Sequence, residues 1–308
     1  MKKVLIITYY WPPAGGPGVQ RWLKFVKFLP EHHIQPIVYC PKNPSYPTLD
    51  HTLSKEVDSK ITVLKHPIKE PLHFLKMLFK TKTNTLSKGG IPDSKKQGLF
   101  ERFLLFIRGN FFVPDARIFW VKPSIKFLSS YISKHQIDTI ITTGPPHSVH
   151  LIGMQLKTQH HLQWYADFRD PWTDISYHKN LNLTHNAKQK HLELERQVLN
   201  TSDHIIVTSS QTKKLFSKIT KHPISVITNG FDNENRSPVP LDSEFSLTHI
   251  GSLLDQRNPM LLWEVLSELT EELPDFKSQF QLVLVGNVSA EIRATIESAG
   301  LKSYLNLV

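Results

Sequence analysis

The sequence predicts an α/β protein with two doubly wound, Rossmann-like domains, the second one truncated. Apolar, strand-like runs alternate with helical patterns along most of the 308 residues. These runs are nearly continuous, which is typical of strands covered by helices on both faces. The alternation stops at a polar, proline-bearing stretch, Phe231–Pro240, and restarts with a predicted strand over Phe245–Ile250.

The first predicted domain covers residues 1–235. Its first strand is Val4–Thr8, and a helix follows because Val19, Trp22, Leu23 and Val26 have the i, i+3, i+4, i+7 spacing of an amphipathic helix. The remaining strands are predicted at residues 36–40, 61–64, 137–142, 162–168, 204–207 and 225–228, with a further helix from about His147.

A basic, aromatic insert at about 66–121 interrupts this alternation. It contains a lysine-rich stretch and two aromatic, apolar segments, Leu72–Phe79 and Phe100–Phe112. Basic amphipathic segments can lie on an anionic membrane surface. The alternative is an inserted helical subdomain that packs in the ordinary way.

The second predicted domain follows a linker at 236–244 and covers residues 245–308. Its pattern gives a strand over Phe280–Val285 and helices from about Pro259 and over Ser289–Ala299. A doubly wound domain usually needs about 100 residues or more. We therefore expect a partial domain and a chain that is incomplete at its carboxyl end.

The composition limits the class of protein and its partners. A formal net charge of +10 favours anionic partners such as nucleotides or an anionic membrane surface, and no nucleic-acid-binding motif accompanies it. The single cysteine, Cys40, excludes an internal disulfide and cysteine-rich zinc sites. We expect a cytoplasmic protein that could also lie on the inner face of the membrane.

The first candidate site residues are Gly15, Gly16 and Gly18, in the turn between the first strand and the first helix. Glycines let a backbone approach a ligand closely, and the start of a helix attracts anions. The spacing is not that of the GxGxxG dinucleotide fingerprint. A tight turn without a ligand is the alternative.

The end of the predicted strand over 137–142 supplies a candidate catalytic residue, His147, in a Gly-Pro-Pro-His turn. Ligands bind at the carboxyl ends of parallel strands. A histidine there could donate a hydrogen bond to a sugar or phosphate, or exchange a proton near neutral pH. A capping or packing role is the alternative.

Two carboxylates and an arginine follow the next strand. We predict Asp167 as catalytic, and Arg169 and Asp170 as binding residues for the acceptor or the reaction centre. The alternative is a structural ion pair in which a carboxylate holds Arg169. No metal site is predicted, because Asp167 and Asp170 lack a third ligand. The similar stretch Val113–Trp120 is either part of an acceptor cleft or a packing corner.

The second domain offers Gly251, Ser252 and Arg257 after its first strand. Gly251 permits close backbone approach. Arg257 could neutralise the charge that develops on a departing diphosphate. An exposed arginine without a ligand is the alternative.

Taken in order, four segments resemble the bacterial members of glycosyltransferase family 4, which have the GT-B fold. The segments are Gly15–Gly18, Asp167–Trp172, Thr228–Asp232 and His249–Leu253 with Arg257–Pro259 after it. The resemblance implies a retaining transferase without a required metal or cofactor, with a UDP- or GDP-sugar donor held by the second domain near Gly251, Ser252 and Arg257. It implies a glycan or lipid-linked acceptor on the first domain, with the glycine turn near the reaction centre.

Two other functions remain open from the sequence. One is a non-catalytic fragment that binds glycan or membrane. The other is a sugar-nucleotide epimerase of the same fold.

Overall fold

The chain divides into two units, Met1–Phe231 and Asp232–Val308, each with its own sheet and core. The computed structural model describes residues 1–70, 99–175, 181–231, 240 and 242–308. The segment Leu72–Phe79 and most of the lysine-rich stretch lie outside the described residues.

The first unit is built on a seven-stranded parallel sheet with the order β3-β2-β1-β4-β5-β6-β7. The chain moves outward from β1 to β2 and β3, and then from β4 to β7 on the other side. The strands are β1 Lys2–Thr8, β2 Ile34–Pro41, β3 Thr62–His66, β4 Thr139–Gly144, β5 Gln163–Phe168, β6 His204–Val207 and β7 Ile224–Val226.

Helices cover both faces of this sheet, and the predicted strand–helix alternation is confirmed. In β1, Leu5 and Ile7 pack into one core while Val4 and Ile6 pack into the other. The helices are α1 Pro17–Phe28, α2 Leu99–Phe111, α3 Ile118–His135, α4 Ser148–His160, α5 His185–Thr201 and α6 Ser210–Phe216.

The described second half of the basic, aromatic insert contains α2 and the start of α3. In α2, Leu105 is fully buried against Leu181. Gly109 allows this close approach, because a Cβ at that position would lie 2.7 Å from Cδ2 of Leu183. The face of α2 that carries Leu105 and Gly109 therefore packs inside the protein, as expected for an inserted helical subdomain.

The second unit has a three-stranded parallel sheet with the order β10-β9-β8. The predicted strands at 245–250 and 280–285 are confirmed as β8 and β9. The elements are β8 Phe245–Ile250, α7 Met260–Glu272, α8 Pro274–Gln279, β9 Phe280–Val285, α9 Ala290–Ser298 and β10 Leu305–Leu307. Its core joins Trp263 and Leu266 of α7 to Leu282 and Leu284 of β9 and to Ile292 of α9.

Candidate functional site

The candidate site of the first unit lies where the direction of the sheet reverses, between β1 and β4. The two strands are neighbours, yet the chain leaves them in opposite directions across the sheet. In open α/β sheets, ligands bind outside the carboxyl ends of the strands at such a point. The turn with Gly15 and Gly16 follows β1 and leads into Gly18 of α1, and the turn from the end of β4 at Gly144 leads into Ser148 of α4.

The glycine turn is held in place by the segment at residues 48–50. The Gly15 amide donates to the carbonyl of Thr48 at 3.0 Å, and the Asp50 amide donates to the carbonyl of Pro13 at 2.8 Å. Gly16 caps α1 with φ 108°, a conformation that favours glycine, and Pro17 occupies the first helical turn. The start of α1 therefore has a fixed geometry.

Gly18 is required by Arg169, whose guanidinium lies against it. A Cβ at Gly18 would be 1.4 Å from Nη1 of Arg169. Arg169 donates from Nε to the carbonyl of Gly144 at 3.1 Å, and from Nη2 to the carbonyl of Pro145. The guanidinium also lies 5.8 Å from the ring centre of Tyr10. The structure thus brings two predicted site residues, Gly18 and Arg169, together at the reversal point.

Asp167 is completely buried at the end of β5 and accepts three hydrogen bonds from the protein. The donors are Nη2 of Arg21 at 3.0 Å, Nε1 of Trp22 at 2.8 Å and the hydroxyl of Thr143 at 2.8 Å. Both oxygens are therefore engaged in joining α1 to β4 and β5.

A structural ion pair does form here, but its cation is not Arg169. Asp167 pairs with Arg21. Asp167 lies within β5 and faces α1, whereas Arg169 lies beyond the strand end and reaches back to the Gly144 turn. Asp170 is exposed. A catalytic role for Asp167 and a binding role for Asp170 stay predictions.

His147 lies in an aromatic cluster at the start of α4 and is 4% exposed. Its ring stacks on Trp172 with a centroid distance of 4.8 Å and an interplanar angle of 3°. Its side chain does not cap α4. The packing alternative agrees with this geometry, and a catalytic role for His147 stays a prediction.

His150, in the first turn of α4, is fully buried against Phe168 with a ring distance of 4.2 Å. Trp164 donates from Nε1 to the hydroxyl of Thr142 at 2.9 Å, and the same hydroxyl is hydrogen-bonded to Nδ1 of His150 at 2.8 Å. Burial, and secondarily the charge of Arg169, lower the pKa of His150 to about 3.

This neutral histidine predicts a loss of stability in acid. Between its ordinary pKa of 6.5 and about 3, the unfolded chain binds a proton that folded His150 does not, so stability falls as the pH falls through this range. At pH 5 the expected cost is about 2 kcal/mol relative to pH 7.5. Urea unfolding at both pH values should show a smaller difference for His150→Gln than for the wild type.

The matched control is His185→Gln, which changes an exposed histidine and should leave the pH dependence as it is. His191, whose pKa burial lowers to about 4, contributes in the same direction and remains in both variants. An equal pH dependence in wild type and His150→Gln would contradict the prediction.

The loop that carries Arg169 is tied to the elements behind it. Trp172 donates from Nε1 to Nδ1 of His191 at 3.1 Å. The Thr173 amide donates to Glu195 at 3.1 Å. On its other side, the hydroxyl of Thr208, which follows β6, donates to the carbonyl of Arg169 at 2.8 Å. The backbone of Arg169 is thereby fixed from two directions.

The stretch Val113–Trp120 forms a packing corner. Asp115 accepts hydrogen bonds from the amide and the hydroxyl of Ser148, at 2.8 and 2.9 Å, and so caps α4 from outside the helix. Arg117 is buried beside Glu70, with Nε 3.2 Å from Oε1 of the carboxylate. The packing alternative accounts for the residues of this stretch that make these contacts.

In the second unit, the turns after β8 and β9 lie side by side. Gly251 has φ 134°, and its amide donates to the carbonyl of Val285 at 2.8 Å. Gly286 has φ 118°, and a Cβ there would be 2.7 Å from the carbonyl oxygen of Gly251. Gly286 is therefore needed for the close approach of the two backbones, while Gly251 is favoured by its positive φ.

Ser252 and Arg257 are exposed at this edge of the smaller sheet. Arg257 ends a short 3-10 turn just before α7. The next residue, Asn258, accepts from Nε1 of Trp263 at 2.7 Å and donates to the hydroxyl of Thr295 at 3.2 Å. The backbone next to Arg257 is therefore anchored, and its cationic side chain extends into solvent.

The similarity of the chain to known proteins lies in its structure. No protein-family model matches the sequence, and no curated protein matches it. HepE of Anabaena in complex with UDP has a TM-score of 0.55 at 14% identity, and the match covers 100% of this chain and 69% of that one. Sucrose-phosphate synthase of Thermosynechococcus elongatus has a TM-score of 0.56 at 15% identity, with 100% and 70% covered.

The chain has the GT-B fold. TarM, an S. aureus protein, also matches, with a TM-score of 0.56 at 12% identity and with 100% of this chain and 76% of that chain covered. At these identities the GT-B match establishes the fold and leaves the reaction open.

Sequence reasoning missed Arg21, which organises the site of this GT-B fold. Besides Asp167, its guanidinium donates to the carbonyls of Ile227 and Thr228, at 2.9 and 3.0 Å. Arg21 lies next to Trp22, at the edge of the apolar stripe of α1. A charged residue at such a position is predicted to face solvent. The sequence does not show that its partner Asp167 is buried, and a buried carboxylate would have indicated an inward-facing cation such as Arg21.

Proposed function

We propose that this chain is a retaining glycosyltransferase of the family 4 type. It moves a sugar from a nucleoside-diphosphate sugar to a glycan or lipid-linked acceptor in the synthesis of a cell-surface polysaccharide. The observation that carries the proposal is the contact of Gly18 with Arg169 at the reversal point of the larger sheet, in a chain with the GT-B fold.

This contact combines two features that suit an anionic, sugar-bearing ligand. The start of α1 presents the positive end of a helix dipole at Gly18. Arg169 adds a cation that is held by two carbonyl groups, so its position is fixed. Such fixed charges stabilise a transition state without reorganising during the reaction.

In the second unit, we propose that Gly251, Ser252 and Arg257 bind the diphosphate of the donor. The backbone at Gly251 carries no side chain that would hinder a phosphate, and Arg257 supplies an exposed guanidinium at the same edge of the sheet. HepE, which has the same fold, is described in complex with UDP and in complex with UDP and glucose. These features support a nucleotide-sugar donor.

The donor site predicts the effect of Arg257→Gln on nucleotide binding. A charge-assisted hydrogen bond contributes about 1.5–3 kcal/mol. We therefore expect the affinity for the preferred nucleoside diphosphate, UDP or GDP, to fall roughly 10- to 100-fold, as measured by titration calorimetry.

Arg293→Gln is the matched control, because Arg293 is an exposed arginine of the same unit on α9. It changes the charge equally and should leave the affinity within a factor of about 2, since surface charges act weakly at a distance in salt. Equal losses in the two variants would contradict a specific role of Arg257.

The reaction is tested with a panel of UDP- and GDP-sugars and candidate acceptors. Transfer with the anomeric configuration of the donor preserved would support the proposal. Release of UDP with the sugar left unattached would favour an epimerase-type reaction, and a putative UDP-N-acetylglucosamine 2-epimerase from Listeria monocytogenes does share the fold, with a TM-score of 0.52. Absence of both transfer and nucleotide binding would contradict the proposal.

A further inference from the structure

The outer face of α3 combines exposed lysines with aromatic rings. Lys122, Lys126 and Lys134 are exposed, and helical geometry places them on one side of α3 together with Phe119 and Phe127. Phe119 is 53% exposed. We call this set of five residues the α3 face.

The aromatic surface continues across the junction between α2 and α3. Phe119 packs edge-on against Phe112 with a centroid distance of 5.9 Å. The neighbouring Phe111, the last residue of α2, is 71% exposed. Large aromatic side chains in contact at a surface are uncommon unless a partner covers them.

The charged residues of α3 are basic, and none of its residues is a carboxylate. Two carboxylates, Glu101 and Asp115, lie in the sequence between the starts of α2 and α3, and Asp115 is engaged by Ser148. Lys126 and Lys134 also line a surface hollow of about 510 Å³ beside His66 and Tyr131, and no carboxylate lines it. The α3 face is therefore complementary to an anionic partner.

We propose that the α3 face docks the chain on the surface of an anionic phospholipid bilayer. The lysines would contact lipid phosphates, and Phe111 and Phe119 would enter the interfacial layer. Lysines with long apolar stems beside aromatic rings are typical of helices that lie in the membrane interface. No described helix is long and apolar enough to span a bilayer. This surface involves none of the residues assigned to the donor or to the reaction centre.

Co-sedimentation with vesicles tests the docking. We expect the chain to bind vesicles of phosphatidylcholine and phosphatidylglycerol far better than vesicles of phosphatidylcholine alone, and binding should weaken with salt. Each lysine near an anionic surface contributes about 1 kcal/mol, so K122Q/K126Q/K134Q should lower the partition coefficient roughly 100-fold. F111S/F119S should lower it about 10-fold or more by removing the inserted rings.

The matched control is K213Q/K214Q/K218Q, which removes three exposed lysines from α6 and the turn after it. It should bind the mixed vesicles within a factor of about 3 of the wild type, since its lysines lie outside the α3 face. Circular dichroism checks that every variant is folded, and UDP affinity should stay the same in all of them. Failure of the docking is thus distinguishable from failure of the transferase proposal.

Two results would overturn the docking. One is equal binding of the wild type and K122Q/K126Q/K134Q to the mixed vesicles. The other is self-association in sedimentation velocity that F111S/F119S abolishes, without vesicle binding by the wild type, since it would make a second copy the partner of this surface.

Discussion

Replacing Arg21 with methionine is expected to lower the free energy of unfolding by about 3–5 kcal/mol. Arg21 and Asp167 have side chains that are 1% and 0% exposed, so the substitution leaves a buried carboxylate without its cation. It also removes the donor for the carbonyls of Ile227 and Thr228. Urea unfolding at neutral pH, extrapolated to water, measures the loss.

Lys24→Gln is the matched control for this loss. Lys24 lies on the same helix and pairs with Glu56 at 2.7 Å, but both side chains are partly exposed. Exposed ion pairs contribute about 0–1 kcal/mol, so this variant should stay close to the wild type. If Arg21→Met lost no more stability than Lys24→Gln, the buried pair would not be what joins α1 to β5.

The second large effect concerns Gly18 and the proposed transfer reaction. In Gly18→Ala, the new Cβ would overlap Nη1 of Arg169, so the guanidinium has to leave the carbonyls of Gly144 and Pro145. Removing one fixed donor from a reaction centre typically lowers kcat 100- to 1000-fold. We expect Gly18→Ala and Arg169→Ala to lower kcat to a similar extent, of roughly that size.

The double variant of Gly18→Ala and Arg169→Ala tests whether the two single losses of kcat have the same cause. If Gly18→Ala acts by displacing Arg169, combining it with Arg169→Ala adds almost no further loss. Gly230→Ala is the control, because a Cβ at this exposed glycine would meet no atom within 4 Å. Additive losses, or an equal loss in Gly230→Ala, would show that the contact between Gly18 and Arg169 is not the cause.

Most of the fold could be predicted because its strands are covered on both faces. The run from Val4 to Ile7 is apolar at every position, since alternate side chains enter different cores. The strands after the linker were predicted from apolar runs too, although Phe245 and Ile250 of β8 are exposed. A described part of the basic, aromatic insert was harder, because the apolar residues of α2 include a buried position, Leu105, and exposed ones, Phe103, Phe106 and Phe111.

The partners within the site could not be predicted. Arg21 and Asp167 are 146 positions apart, and their contact depends on how α1 lies over β5. Arg169 was the nearer arginine in sequence, yet it lies beyond the strand end and turns toward Gly144. Sequence patterns place residues at the ends of strands, while the register of neighbouring elements decides which of them meet.

The hydrogen bonds between the glycine turn and residues 48–50 have a consequence for ligand binding. Ordering a flexible loop on association costs conformational entropy and weakens affinity. In this chain the segment around Gly15 is already ordered by Thr48 and Asp50 before any ligand arrives. A ligand that reaches the start of α1 therefore meets a helix end already in position, and the affinity should depend little on loop closure.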